Sequence, residues 1–239
     1  MIGALRGHMR RQQFDPGLSG AFVNPFFLAR RALRREIAQA SPALTGPLLD
    51  VGCGTKPYRT LFETEAYVGL DIDSEHARAL GAADAYYDGH RFPFEDAQFR
   101  AVLCNQVLEH VFNPDEFLGE IRRVLQVGGR LLLTVPFVWD EHEQPHDFAR
   151  YSSFGLKALL ERNGFRVLRH RKLLADASIL FQLLNAYLFK ITLSRVRILN
   201  RLTTAFVLGP LSLVGLVLGH LLPDNPDLFL DQLVVAERL

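Results

Sequence analysis

The chain has 239 residues, 49% hydrophobic and 22% charged, which describes a globular protein with a substantial core and excludes a disordered one. A formal net charge of +1 gives no general reason to expect a nucleic-acid partner. Cys53 and Cys104, the only two cysteines, form neither a zinc nor a disulfide framework, so a reducing, cytoplasmic compartment is expected and both read as small buried thiols. The start, residues 1–13, is basic but lacks the apolar core of a signal peptide.

In chain order, a helix is predicted first, within an N-terminal helical segment over 1–45. Asn24-Pro25 forms an N-cap and N1 pair, and Phe26, Phe27, Ala29 and Leu33 alternate with Arg30, Arg31, Arg34 and Arg35. This helix is expected to cover the ligand side or one edge of a sheet. Strands are predicted near 47–52, 66–71, 84–88, 100–105 and 130–136. The first runs into Asp50-Val51-Gly52-Cys53-Gly54, where glycines two apart force a tight turn that brings backbone close to a nucleotide-like ligand. Pro57 stands where a dinucleotide fingerprint wants its third glycine, which disfavours NAD. The second strand ends in Asp71, a carboxylate placed either to accept the ribose hydroxyls of a nucleoside or to cap a helix starting near Ser74; Asp73 can share either duty. Between the fourth and fifth strands, Asn113-Pro114 with Glu116 at N3 opens a helix that runs through Leu125 and stops before Gly128-Gly129. A further helix over 153–162 precedes a strand at 165–168, and a last strand is predicted at 230–236. Strands alternating with helices imply a parallel sheet with right-handed crossovers.

This series, in the order DVGCG, vGxD, gDaxxxPF, FDxVxxxxvlEHv and LxpGGxlxxxxP over residues 47–136, resembles class I (seven-stranded) S-adenosyl-L-methionine (SAM)-dependent methyltransferases. It is similar to the type-11 and type-23 domains found in cell-surface saccharide pathways. The resemblance implies an α/β fold, a Rossmann-like, mostly parallel seven-stranded sheet with helices on both faces, whose seventh strand runs antiparallel beside the fifth. The whole chain, 1–239, then forms one methyltransferase domain. The implied cofactor is SAM, held by Asp50, Gly52, Cys53 and Gly54 at the turn and by Asp71 and Ile72 at the ribose. Asp88 and Gly89 would lie at the adenine, and Asn105 and Gln106 at the methionine end. Asp50 can equally support the turn, and Phe92 and Phe94 read as core.

The acceptor is sought in residues 136–151, past the carboxyl end of the fifth strand, where two histidines, a tryptophan, an arginine and several carboxylates crowd a loop. Its PxDFxRY tail resembles that of methyltransferases in cell-surface saccharide pathways, which points to Trp139, Asp147, Arg150 and Tyr151 as acceptor contacts. His146, then His142, is the expected general base, against the alternative that His146, Asp147 and Arg150 only tie the loop to the sheet. His142, Glu143 and His146 have a spacing that puts both rings on one helical face, but Pro145 opposes a helix there and no metal is expected. Glu109-His110 also resembles the E-x-x-E-H element of quinone-ring O-methyltransferases, with Gln106 in place of the first glutamate.

Residues 173–227 form an apolar helical insertion before the last strand. Its second segment, 202–222, has no Asp, Glu, Lys or Arg, about the length of a membrane span. Gly209-Pro210 is expected to interrupt it, and a single pass would strand the last β-strand across the bilayer from its own sheet. The readings left open are a peripheral membrane contact through 173–222, with Lys190, Arg195, Arg197 and Arg201 as its basic flank, a lid, or a homodimer face. The expected function is O-methylation of a saccharide or lipid-linked acceptor at the inner face of a membrane. A small soluble metabolite or quinone precursor is the alternative acceptor, and a SAM-binding or tethering module without turnover the alternative class.

Overall fold

The computed structural model describes residues 11–64 and 66–239, so most of the basic N-terminal stretch lies outside the described residues. Seven strands build one sheet: β1 (Leu48–Val51), β2 (Tyr67–Ile72), β3 (Ala85–Tyr87), β4 (Phe99–Asn105), β5 (Leu125–Pro136), β6 (Phe165–Leu173) and β7 (Asp231–Arg238). Their order is β3-β2-β1-β4-β5-β7-β6, and β1 pairs in parallel with both β2 and β4. The helices are α1 (Phe27–Ala40), α2 (Glu75–Leu80), α3 (Pro114–Val124), α4 (Ser153–Arg162), α5 (Ser178–Thr192) and α6 (Arg197–Leu221).

The expected antiparallel last strand is present. Leu230 N–H donates to Leu173 O at one end of the β6–β7 pair and Leu239 N–H to Gly164 O at the other, a crossed register only antiparallel strands produce. At the far end of β7, Arg238 reaches the Leu125 carbonyl where β5 begins. β1 is buried at every position, as a parallel strand covered on both faces must be.

Two compact units divide the chain. The larger comprises Ile37–Arg171 and Gln232–Leu239 and holds the main core. In it α3 buries Phe117, Leu118, Ile121 and Val124, apolar residues at helical spacing, against β4 and β5 residues such as Val102 and Leu133. Phe92 is core as expected, edge-on to Tyr87 and Phe117. Two boundaries differ from expectation. β5 starts at Leu125, directly after α3, and runs through Gly128-Gly129, so the glycine pair lies within a strand whose register against β4 slips between Phe99 and Ala101. Asn113 precedes α3 without a side-chain cap, and its amide instead lies 3.5 Å from Glu116.

The smaller unit comprises the described residues up to Glu36 together with Lys172–Asp231. Asn24 shapes the entry to α1, its Oδ1 accepting the Phe26 N–H, so the helix proper begins two residues later than Pro25. The insertion folds as α5 and α6. Pro210 does not break α6; the turn before it, Thr204–Leu208, widens to π-helical hydrogen bonding, which accommodates a residue that has no N–H. Where α5 and α6 meet, a Cβ on Gly215 would stand 2.7 Å from Phe181 Cβ, so only glycine permits this approach.

Candidate functional site

The register brings the motif ends to one edge of the larger unit. Val51 is level with Leu70 and Cys104, so the turn after β1 lies between the end of β2 and the end of β4. Gly52 and Gly54 have φ of 69° and 50°, the left-handed region open to glycine. A Cβ on Gly52 would fall 2.3 Å from Val107 Cγ2, whereas at Gly54 it would meet nothing within 4 Å. One glycine lets the turn pack against the segment after β4; the other leaves backbone facing open space.

Asp71 closes the turn from β2: its Oδ2 accepts the Gly54 N–H at 3.0 Å and its Oδ1 its neighbour Ile72 N–H at 2.9 Å. It is not the cap of α2, a role taken by Ser74, and Asp73 is engaged by Arg78 in a two-bond pair. Asp50 is buried and accepts the Tyr67 hydroxyl at 2.6 Å; burial pushes its carboxyl up to about 7. Burial likewise pushes the Cys53 thiol up to about 12 and the Cys104 thiol well above its ordinary value, so both are inert, free thiols. Asp88 is exposed, and its Oδ1 accepts the His90 and Arg91 N–H groups across Gly89, which holds it below the usual carboxylate range. Asn105 Oδ1 accepts the Thr134 hydroxyl, and Gln106, at φ 55°, donates its N–H to Thr134 O. Thr134, a fully buried polar residue in an apolar strand, was not singled out in the sequence; its isolation in Leu-Leu-Leu-Thr-Val is the signal that marks it.

The acceptor loop is held by a clasp. Arg150 grips Asp147 through two bonds, at 2.6 and 2.7 Å, and reaches the Asp140 carbonyl at 3.0 Å. That guanidinium holds the Asp147 carboxyl far below its usual range. Phe148 and Ala149 donate their N–H groups to Glu109 O, tying the loop to the segment after β4. Asp147 and Arg150 thus make the loop contacts of the structural alternative. Tyr151 packs against the core, and Trp139 is partly buried. His142 has Asp147 Oδ2 at 3.4 Å from its Nδ1, whereas the His146 ring is exposed beside Phe148. Residues 142–146 form a turn and not a helix, so His142 and His146 are not paired as helical neighbours. His142 instead meets His110, ring centroids 4.7 Å apart, next to the buried Glu109. Burial lowers the His110 imidazole below its ordinary range.

Residues 49–133 match the family model of the methyltransferase domain. That stretch, little more than a third of the chain, is similar to a methyltransferase domain. A malonyl-acyl-carrier-protein O-methyltransferase of Erwinia pyrifoliae is 31% identical over 114 residues, 45% of this chain and 44% of that one. Among solved structures, the 4+2 cyclase SpnF superposes with a TM-score of 0.57 at 22% identity, covering 88% of this chain and 82% of that one. A phosphoethanolamine N-methyltransferase of Haemonchus contortus, solved with SAM, superposes with a TM-score of 0.56 at 16% identity, over 86% of this chain and 52% of that one. The chain spans about half the length of the curated relatives it matches. At these identities the structural likenesses establish the fold of the methyltransferase domain, and a cyclase among them illustrates that the fold does not by itself fix the reaction. The glycine cradle and Asp71 fit SAM: Gly54 presents open backbone, and a carboxylate stands at its side.

Proposed function

We propose that the protein is a SAM-dependent O-methyltransferase whose saccharide or lipid-linked acceptor is presented at an anionic membrane surface. The transfer half of this reading rests on the Gly52–Gly54 turn closed by Asp71. SAM supplies a methyl group made electrophilic by its sulfonium. The protein's share is to position that methyl group, to exclude water and to relieve the acceptor hydroxyl of its proton. Gly54 leaves room for the cofactor, Asp71 accepts the ribose hydroxyls, and Asn105 and Gln106, fixed by Thr134, face its methionine end. His142, oriented by Asp147, and His146, exposed on the same loop, are the two proton acceptors this arrangement offers.

The membrane half rests on how the smaller unit is packed. Its interior combines an apolar cluster around Ala21, Phe27 and Leu28 with buried polar groups: Gln182, Asn185 and Ser212 are all 0% exposed, Gln182 accepting the Ala29 N–H and Asn185 donating to the Ser212 hydroxyl. The helical pair exposes large apolar side chains: Phe206 is 75% exposed and Leu221 72%, with Tyr187, Ile191 and Val217 also exposed. Small residues at the helix contact, polar groups as internal glue and an apolar exterior are the pattern of helices in lipid. Residues 177–223 contain no carboxylate, and Arg195, Arg197 and Arg201 are exposed, which suits anionic headgroups. By length and composition α6 is long and apolar enough to cross a membrane. The chain nevertheless returns from it to β7, which pairs with β6, and α5, at 15 residues, is too short to make a second crossing of a core about 30 Å thick, so the helical pair embeds in one leaflet.

Two measurements test the two halves separately. Calorimetry of Asp71→Ala should show SAM binding weaker by about 1.5–3 kcal/mol, the range for a lost hydrogen bond to a charged group. An unchanged affinity in a folded variant refutes the cofactor site. Co-sedimentation should show the parent bound to phosphatidylglycerol-containing vesicles and released by salt or by joint replacement of Arg195, Arg197 and Arg201 with Gln. A parent that stays in the supernatant as a detergent-independent dimer assigns the apolar face to a second copy and refutes membrane docking.

A further inference from the structure

We propose that Glu109, His110 and His142 bind a divalent first-row transition-metal ion beside the methyltransferase cradle. The three residues come from two places in the chain, the 3-10 turn after β4 and the loop after β5, and their ligand atoms lie within 4.8 Å of one another. A tetrahedral ion with bonds of about 2.1 Å needs ligands about 3.4 Å apart, so the triad has to close by no more than about 1.4 Å, within reach of small side-chain rotations. His110 Nε2 already stands 3.9 Å from Glu109 Oε1.

The outer nitrogens carry the case. A metal-bound imidazole as a rule donates its other N–H to a carbonyl or carboxylate, which fixes the tautomer and aims the free lone pair. Both rings here are so placed. His110 Nδ1 lies 2.6 Å from the His146 carbonyl oxygen, which can only accept, so Nδ1 carries the proton and Nε2 the lone pair. His142 Nδ1 has two acceptors at 3.2 and 3.4 Å, Asp140 O and Asp147 Oδ2, and one donor farther off, Arg150 Nη2 at 3.5 Å. The nearer acceptors place the proton on Nδ1 and again leave Nε2 as the ligand. The positive charge of Arg150 is met by its two bonds to Asp147, so it does not repel a cation unopposed. Two imidazoles and one carboxylate suit zinc, cobalt, nickel or iron rather than magnesium or calcium.

Three protein ligands leave a position open, and the site shares its edge of the sheet with the glycine turn, since Gly52 packs against Val107, two residues before Glu109. On the methyl-transfer reading above, an acceptor hydroxyl in that open position would have its pKa lowered, and its proton would pass to water or to His146 rather than to His142.

Cobalt(II) alone, titrated into the full chain, tests the site without SAM or acceptor. One equivalent should bind with visible d–d absorption. His142→Ala should lower cobalt affinity at least tenfold, and Asp147→Asn, which weakens both the hold on the outer nitrogen and the neutralisation of Arg150, about 10–100-fold. Circular dichroism checks that the variants fold, and His110→Gln serves should His142→Ala fail to. A parent without stoichiometric binding, or folded variants that bind as the parent does, overturns the site. SAM calorimetry on the same samples keeps the two readings apart: cobalt binding without SAM binding sinks the transferase reading alone, and the reverse sinks only the metal.

Discussion

Replacing Asp50 with Asn should make the protein more stable, and only above acid pH. The carboxyl is buried beneath the glycine turn, and burial raises its pKa from 3.8 to about 7. Between pH 4 and 7 the folded chain therefore retains a proton that the unfolded chain has released. Stability falls as pH rises wherever the native state binds more protons, so the parent loses stability through this window and no further above it. Each pH unit is worth about 1.4 kcal/mol, which sets a ceiling of about 4 kcal/mol for the whole interval. Asparagine has the same shape and can still accept the Tyr67 hydroxyl, but it does not titrate. Urea unfolding of parent and variant at pH 4.5, 5.5, 6.5 and 8 should give a difference near zero at the acid end that grows in favour of Asp50→Asn. A variant weaker by the same amount at every pH, or a difference that grows the other way, would refute a proton-bearing Asp50.

Gly52→Ala places a methyl group 2.3 Å from Val107 Cγ2 at a φ of 69°, and should destabilise by about 1–3 kcal/mol. The double variant with Val107→Ala should recover part of that loss in thermal melts, because it removes the clash but not the backbone strain. His146→Ala should lower turnover by about 10²–10⁴ with SAM affinity unchanged if the ring takes the acceptor's proton; parental turnover across the pH range would make His146 a structural residue.

Much of the methyltransferase domain was legible because its signals are local. An apolar run ending in Asp50 and two glycines, a second run ending in Asp71, and Pro114 at a helix start each declare themselves within a few residues. The errors lie where tertiary structure overrides local chemistry. Gly128-Gly129 reads as a helix stop, yet those residues lie inside a strand, in the stretch where its register against β4 slips. Pro210 reads as a break, yet a π turn absorbs it. The meeting of His142 with Glu109 and His110 was hidden for another reason: it depends on the path of a loop clasped by Arg150 and Asp147, and spacing within the loop suggested His146 instead.

The insertion leaves the sheet at Leu173 and re-enters at Leu230, and these two residues are hydrogen-bonded to each other. Topologically it is the loop of a β-hairpin, grown to hold two helices. Loop closure costs entropy only as the logarithm of length, so exchanging residues 174–229 for a tight turn of about four residues changes that cost by only about 2 kcal/mol. A lineage can therefore lengthen or trim this segment without altering strand order, provided that the start of α1, which packs with it through Phe27 and Leu28, changes in step.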